Sequence, residues 1–414
     1  MFIKTGIPER DARSLFRLRP DHKENTMNIS VNNTKLFNFY IGMAKRIVNR
    51  RDAMGNPLLG YVRVSADMQN GIITIESNDI VSGIRLNVSA EELRGEILEE
   101  GSILLSEAVC DWLKGAKEPL YIARNGAEDS GIVRCGCEKL VMKDNDFDEL
   151  EFLEIREIPD TREEISVDAV SFCRGLRACA QHADPSTLSS QGLVLESGNG
   201  TVDISSISAN GAMMCHYRIP TSSRTEVKII LDAASVCKAS QTILNHLSLK
   251  RASNLTVYFA GENGCWMAAD GIMVYSHALN SPGFDFRAVA EKLSWEDSVS
   301  FSKELLRRTL SLRKRISADS STLGLTFGGG NLILDADTGM GNVSSDIPSI
   351  LSTFSDEKEK ILVDTRNFTE TILKLPDAEY SEVDIRMEKD NAESMPLRIQ
   401  NGAFTAFLAP KVLR

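Results

Sequence analysis

The chain has 414 residues, enough for two to four domains, and is 42% hydrophobic and 25% charged, the balance of a globular protein. No apolar run approaches the roughly 20 residues of a membrane span. Met1 to Thr26 mixes Arg10, Arg13, Arg17 and Arg19 with Glu9, Asp11 and Asp21 and lacks the apolar stretch of a signal peptide, so a cytoplasmic location is expected. The net charge of −11 excludes an evenly basic nucleic-acid binder and leaves only one whose cations are gathered on a single surface.

In chain order, Asn28 to Val31 reads as a short strand. A helix follows with Leu36, Tyr40, Met43 and Ile47 on one face. Strands are expected at Leu59 to Val64 and Ile72 to Glu76, joined through Asn70-Gly71, and then at Ile84 to Val88. The same order recurs from Glu164 to Val167, with a helix through Val170, Cys173, Leu176 and Ala180 and a hairpin turned by Gly198-Asn-Gly200. It recurs again from Ser298 to Phe301, with a helix through Leu305, Leu306, Thr309 and Leu312 and a turn at Gly328-Gly-Gly330. Each copy holds the pattern twice; the second halves start at Ser102, Val227 and Ile361. The unit of strand, helix and strands therefore appears six times, with starts about 135 residues apart, a period of repeated domains rather than of a solenoid. The expected fold class is α+β, with an extension over 1–26 and domains over 27–160, 161–294 and 295–414.

Enzyme signatures are absent from the sequence. There is no Gly-x-x-x-x-Gly-Lys-Ser/Thr loop, no Gly-x-Ser-x-Gly elbow and no His-Glu-x-x-His. Gly328-Gly-Gly330 is read as a turn. His22, His182, His216, His246 and His277 are never at ligand spacing, and no second pair accompanies Cys135 and Cys137 to complete a zinc site. No metal, cofactor or catalytic residue is expected. The eight scattered cysteines fit a reducing compartment, where a free thiol packs as a small hydrophobe.

Six such units in this order resemble the bacterial sliding clamp, the beta subunit of DNA polymerase III. Three local matches add to the order of elements: Thr201 to Pro220, Gly283-Phe-Asp-Phe-Arg-Ala-Val289, and Phe407-Leu-Ala-Pro-Lys-Val-Leu413. Asn210-Gly-Ala-Met-Met214 stands where the family has Asp-Gly-His-Arg-Leu, and Met1 to Thr26 has no counterpart. The resemblance implies a half ring closed by a second copy, a processivity factor without catalysis, and a lumen lined by helices. Its partners would be double-stranded DNA, read without sequence preference, a replicative polymerase, a clamp loader and other proteins carrying a clamp-binding peptide. The helices bring Lys45, Arg46, Arg50, Arg51, Arg174, Arg177, Lys238, Lys303, Arg307 and Arg308 as candidate DNA-facing cations. Gly211, Met214, Val289, Leu408, Ala409 and Pro410 are the candidates for a partner-peptide groove, and Leu140 and Met142 against Leu310 and Leu312 for the contact between copies. The alternative is a clamp-derived binding module that no longer encircles DNA.

Overall fold

The computed structural model describes residues 26–47, 61–79, 81–125, 130–143, 152, 154–184, 190–208, 211–251, 253–281, 283–293, 295, 297–314, 320–338, 341–354, 359–376, 380–387 and 395–411. The first repeat runs β1 (Met27–Val31), α1 (Thr34–Ile47), β2 (Val62–Asp67), β3 (Ile72–Asn78), β4 (Ser82–Ser89), β5 (Glu96–Glu99), β6 (Gly101–Leu105), α2 (Glu107–Gly115), β7 (Leu120–Asn125), β8 (Ser130–Cys135) and β9 (Glu138–Lys143). The second runs β10 (Glu163–Asp168), α3 (Ala169–Ala180), β11 (Gly192–Gly198), β12 (Thr201–Ile207), β13 (Met213–Pro220), β14 (Val227–Asp232), α4 (Ala233–Lys250), β15 (Asn254–Phe259), β16 (Cys265–Ala269) and β17 (Ile272–Ser276). After the short α5 (Phe286–Ala290) the third runs β18 (Asp297–Ser302), α6 (Lys303–Lys314), β19 (Thr322–Gly328), β20 (Asn331–Thr338), β21 (Gly341–Pro348), β22 (Leu351–Ser352), β23 (Glu359–Asp364), α7 (Thr365–Leu373), β24 (Glu382–Met387), β25 (Leu397–Asn401) and β26 (Phe404–Leu408).

One local device starts each of the six main helices among the described residues. A short polar residue at or just after the end of the leading strand accepts a hydrogen bond from the amide three residues on: Asn33 from Leu36 at 3.3 Å, Ser106 from Val109 at 3.4 Å, Asp168 from Ser171 at 2.8 Å, Asp232 from Ser235 at 2.7 Å, Ser302 from Leu305 at 3.4 Å and Asp364 from Asn367 at 2.9 Å. Each cap satisfies an amide that the helix leaves unpaired, typically for about 1 kcal/mol. It also fixes the point where an alternating strand becomes a helix. The hairpins behave as the sequence implies: Asn199-Gly200 and Gly329-Gly330 take positive φ at both central positions, the geometry that matches strand twist.

Among the described residues the strands form four antiparallel sheets, in the orders β5-β1-β7-β8-β9, β10-β15-β16-β17-β4-β3-β2-β6, β14-β11-β12-β13-β26-β25-β24-β18-β22 and β21-β20-β19-β23. The second and third sheets each cross from one repeat to the next, through β4–β17 and β13–β26. Helices pack in pairs, α1 with α2, α3 with α4 and α6 with α7. Their apolar faces and the inner sheet faces make one core running from Met27 to Leu408. Some expectations shift. Leu59 lies outside the described residues and β2 begins at Val62, and α6 buries Leu306, Leu310 and Arg313 while Leu312 is exposed. No helix among the described residues is long and apolar enough to cross a membrane.

Candidate functional site

The helices hold most of the candidate cations. α1, α3 and α4 carry Lys35, Lys45, Arg46, Arg174, Arg177, Lys238 and Lys250, and none of the three contains an aspartate or glutamate. In a chain of net charge −11 this segregation is the surface that the composition alone hides. Arg46 and Arg308 are exposed, and Arg174, Arg177 and Lys238 are half-buried. Other cations join helices. Lys45 bonds Asp111 at 2.5 Å and Glu107 at 3.0 Å across α1 and α2. Lys303 reaches the carbonyl of Pro376 at 3.3 Å, and Arg307 those of Ile372 at 3.3 Å and of Leu375, at and just past the end of α7 where the dipole favours a cation. Arg50 and Arg51 lie outside the described residues.

The groove candidates gather at the β13–β26 joint. Met213 pairs with Leu408 and Met214 with Phe407, and the amide of Ala409 bonds the carbonyl of Ala212 at 2.8 Å. Gly211 and Ala409 are exposed, and Met214, Val289 and Pro410 half-buried; Asn210 lies outside the described residues. Leu408 differs from expectation: strand alternation turns it inward, 1% exposed, into the core, and sends Phe407 to the outer face instead. There a column of rings begins with His216 stacked on Phe286 at 4.5 Å. Phe286 stacks on Phe407 at 5.0 Å, Phe407 on Trp295 at 5.0 Å, and the Arg398 guanidinium lies 5.1 Å over Trp295. At its foot the buried Asp203 accepts hydrogen bonds from His216 at 2.7 Å, Arg218 at 2.8 Å and Arg287. Burial alone would push this carboxyl up, but the three donors outweigh it and hold it well below the usual carboxylate range. Phe286 and Trp295 come from the segment linking the second repeat to the third, so these rings strap the linker over the joint. Sequence reading missed the column because its members are far apart along the chain.

The β4–β17 joint is also strapped, with other chemistry. Glu76, 2% exposed, lies between Arg63 and Arg85, at 2.5 Å from each. Those arginines reach Glu154 at 3.2 Å and Glu157 at 2.9 Å in the linker. Ile155 of the linker packs on Trp266 and Tyr275, and the Trp266 indole donates to the carbonyl of Arg156 at 2.8 Å. On the helix side, Glu92 accepts from Tyr40 at 2.9 Å and Lys250 at 2.5 Å.

Both joints share one register. Pro220 faces Thr201, and Tyr217, three residues before it, pairs with Phe404, the first residue of β26. Ser89 faces Ile72, and Leu86, three residues before it, pairs with Ile272, the first residue of β17. The strands in the matching positions at the two ends of the chain, β9 and β21, each have one neighbour only among the described residues. Leu140 and Met142 lie on β9, half-buried, with Val141 52% exposed between them. Leu310 is 1% exposed, packed inside its own repeat, and Leu312 is exposed on α6. Among the described residues no three His, Cys, Asp or Glu side chains gather as a metal site, and Cys135 and Cys137 flank a hairpin turn at Gly136.

Three linked pairs of units with helices against continuous sheets define a DNA clamp fold, and solved structures agree. The beta chain of DNA polymerase III from Streptococcus pneumoniae superposes with a TM-score of 0.78 at 15% identity, covering 94% of this chain and all of that one. The polymerase sliding clamp of Bacillus subtilis gives 0.79 at 11% identity and 94% coverage of this chain, again over its own full length. The beta subunit of Borrelia burgdorferi, solved with a natural product, gives 0.77 at 16% identity and 95% coverage of this chain. The fold is thus that of the sliding clamp, carried by a very different sequence. No family model matches the chain, and no curated protein matches it.

Proposed function

We propose that this protein is a non-enzymatic DNA sliding clamp: two copies close a ring around duplex DNA and hold a replicative polymerase and other partners to it, in the cytoplasm. The three repeats serve as its domains, with boundaries at 27–160, 161–294 and 295–414. The observation that carries the reading is the repeated joint. Two joints of one register leave β9 and β21 as the open ends of the same pattern. An open edge invites pairing, and a heterologous contact closes only if its rotation does. Pro348 faces Asn331, and β9 begins at Glu138. The shared register therefore sets Glu138 of one copy opposite Ser345 of the other, Leu140 opposite Val343 and Met142 opposite Gly341.

The helices then face the lumen. Arg46, Arg174, Arg177, Lys238 and Arg308 meet phosphates, which position DNA without reading bases. Retention is topological, so these contacts stay few and weak enough for sliding. The exposed Gly211 and Ala409, with Met214, Val289 and Pro410, form the entry for a partner peptide beside the ring column.

The test is retention on DNA. Protein loaded by a compatible clamp loader on nicked circular DNA is separated from free protein by gel filtration before and after linearisation. Retention on circles with loss from linear ends is expected. Equal retention on both forms would mean ordinary electrostatic binding, and absence from both would favour the binding module that no longer encircles DNA.

A further inference from the structure

The two one-chain joints share a feature on their outer faces. The strand next to the joint strand carries a carboxylate, and cations on the joint strand bind it. On β3 it is Glu76, whose partners in register are Arg85 on β4 and Arg63 on β2, each 2.5 Å away. On β12 it is Asp203, one outward-facing position closer to the start of its strand, held from β13 by His216 at 2.7 Å and Arg218 at 2.8 Å.

The third repeat has Asp335 of β20 in the place of Glu76. Glu76 lies four residues after Ile72, which faces Ser89, and Asp335 four residues after Asn331, which faces Pro348. Its surroundings differ. Ser344 on β21 stands where Arg85 does, and Gly324 on β19 where Arg63 does. The Lys360 Cε lies 3.1 Å from where a Cβ on Gly324 would stand, so the stem of this lysine covers the glycine beside Asp335. No ion pair reaches Asp335 among the described residues. Neither β20 nor β21 contains a lysine or an arginine, and their outer faces add the exposed Asp337 and Asp346.

A cation stands on the opposite open edge. Lys139 of β9 is exposed on the outer face and pairs with Arg134 of β8, exposed as well. The register that sets Leu140 opposite Val343 sets Lys139 opposite Ser344, in one row with Asp335. Neighbouring strands lie about 4.8 Å apart, and the short Ser344 side chain leaves a lysine room to reach over it.

We propose that Lys139 of the second copy binds Asp335 across Ser344. The joint between copies thus takes from the other chain the cation that each one-chain joint holds in its own. This rests on the ring reading above. The edges are complementary, acidic on β20 and β21 and basic on β8 and β9, and the pair is open to solvent, so salt screens it. A ring of two copies has two such joints, and each substitution acts twice.

The test is a dilution series by analytical ultracentrifugation on the full chain, Lys139→Glu, Asp335→Lys and a chain carrying both, at about 0.05 M and about 0.5 M sodium chloride. Expected is a dimer of the full chain. At low salt each single reversal should raise the dissociation constant at least about tenfold, and the double reversal should return it to within about threefold of the parent. High salt should narrow these differences. A reversal that merely damaged its own repeat would not be repaired by a second one in a different repeat. Single reversals that leave the dimer unchanged, or a double reversal no better than the singles, overturn the pair and leave the ring standing. A full chain that stays monomeric at every concentration overturns the ring reading and the pair with it.

Discussion

The β4–β17 and β13–β26 joints have the same backbone register and almost opposite side-chain chemistry. The first is held outside by a buried glutamate between two arginines, the second by a column of four rings over a buried aspartate. The inner faces are alike: Ile84 and Val274, like Cys215 and Ala406, are fully buried and paired. The difference shows what fixes the architecture. Backbone pairing and the inner apolar face set the register, since a one-residue slip would turn both faces over. The outer face is free to be ionic or aromatic, provided that it anchors the linker.

Phe407→Ala should have the largest effect, about 4 kcal/mol, because it removes the ring that both Phe286 and Trp295 cover. Hydrogen exchange would then rise at β13 and β26 while β4 and β17 stay protected; equal loosening of both joints would erase the distinction. Glu76→Ala should cost about 3 kcal/mol by leaving Arg63 and Arg85 to repel each other half-buried, with the reverse exchange pattern. The joints should also part in their response to acid. His182, buried beside Phe404 where α3 ends, has its pKa pushed down to about 4 by burial and then by the Lys374 ammonium. The unfolded chain binds this proton below about pH 6.5 and the folded one only near 4. Its stabilisation is thus present above 6.5 and is lost as pH falls to 4, by up to about 3 kcal/mol. Urea midpoints at pH 7 and pH 5 should differ in the parent chain and differ less in His182→Gln. Asp203, depressed in the folded state, contributes stability above its ordinary range that fades only as pH falls further through its lowered pKa. The smallest change is Glu157→Ala, within about 0.5 kcal/mol by the same urea measurement, since this arm of the ionic joint is largely exposed.

The repeat was legible because it rests on local signals. Turns such as Asn199-Gly200 and the spacing of Leu36, Tyr40, Met43 and Ile47 report their own neighbourhoods. The caps Asp168, Asp232 and Asp364 are equally local and went unread, since a single aspartate before a helix is common. The joints were not legible. Phe286 and Phe407 are 121 residues apart, and nothing near either predicts that they stack. The same holds for Leu408, a groove candidate by sequence that its pairing on β26 turns inward. Cations were legible as helix residues, but not in their employment: Lys45, Lys303 and Arg307 hold helices together while Arg46 and Arg308 remain exposed.

The ring is tested most directly by closing it covalently. Leu140→Cys and Val343→Cys, placed in one chain and oxidised after loading on nicked circular DNA, should join two copies at both open edges. The account predicts a doubly cross-linked dimer that stays on the circle through detergent and high salt and leaves when the DNA is cut. Failure to cross-link, with the same chain still retained on circles, would contradict the predicted register. Cross-linked dimers that leave intact circles in detergent would contradict a ring around DNA.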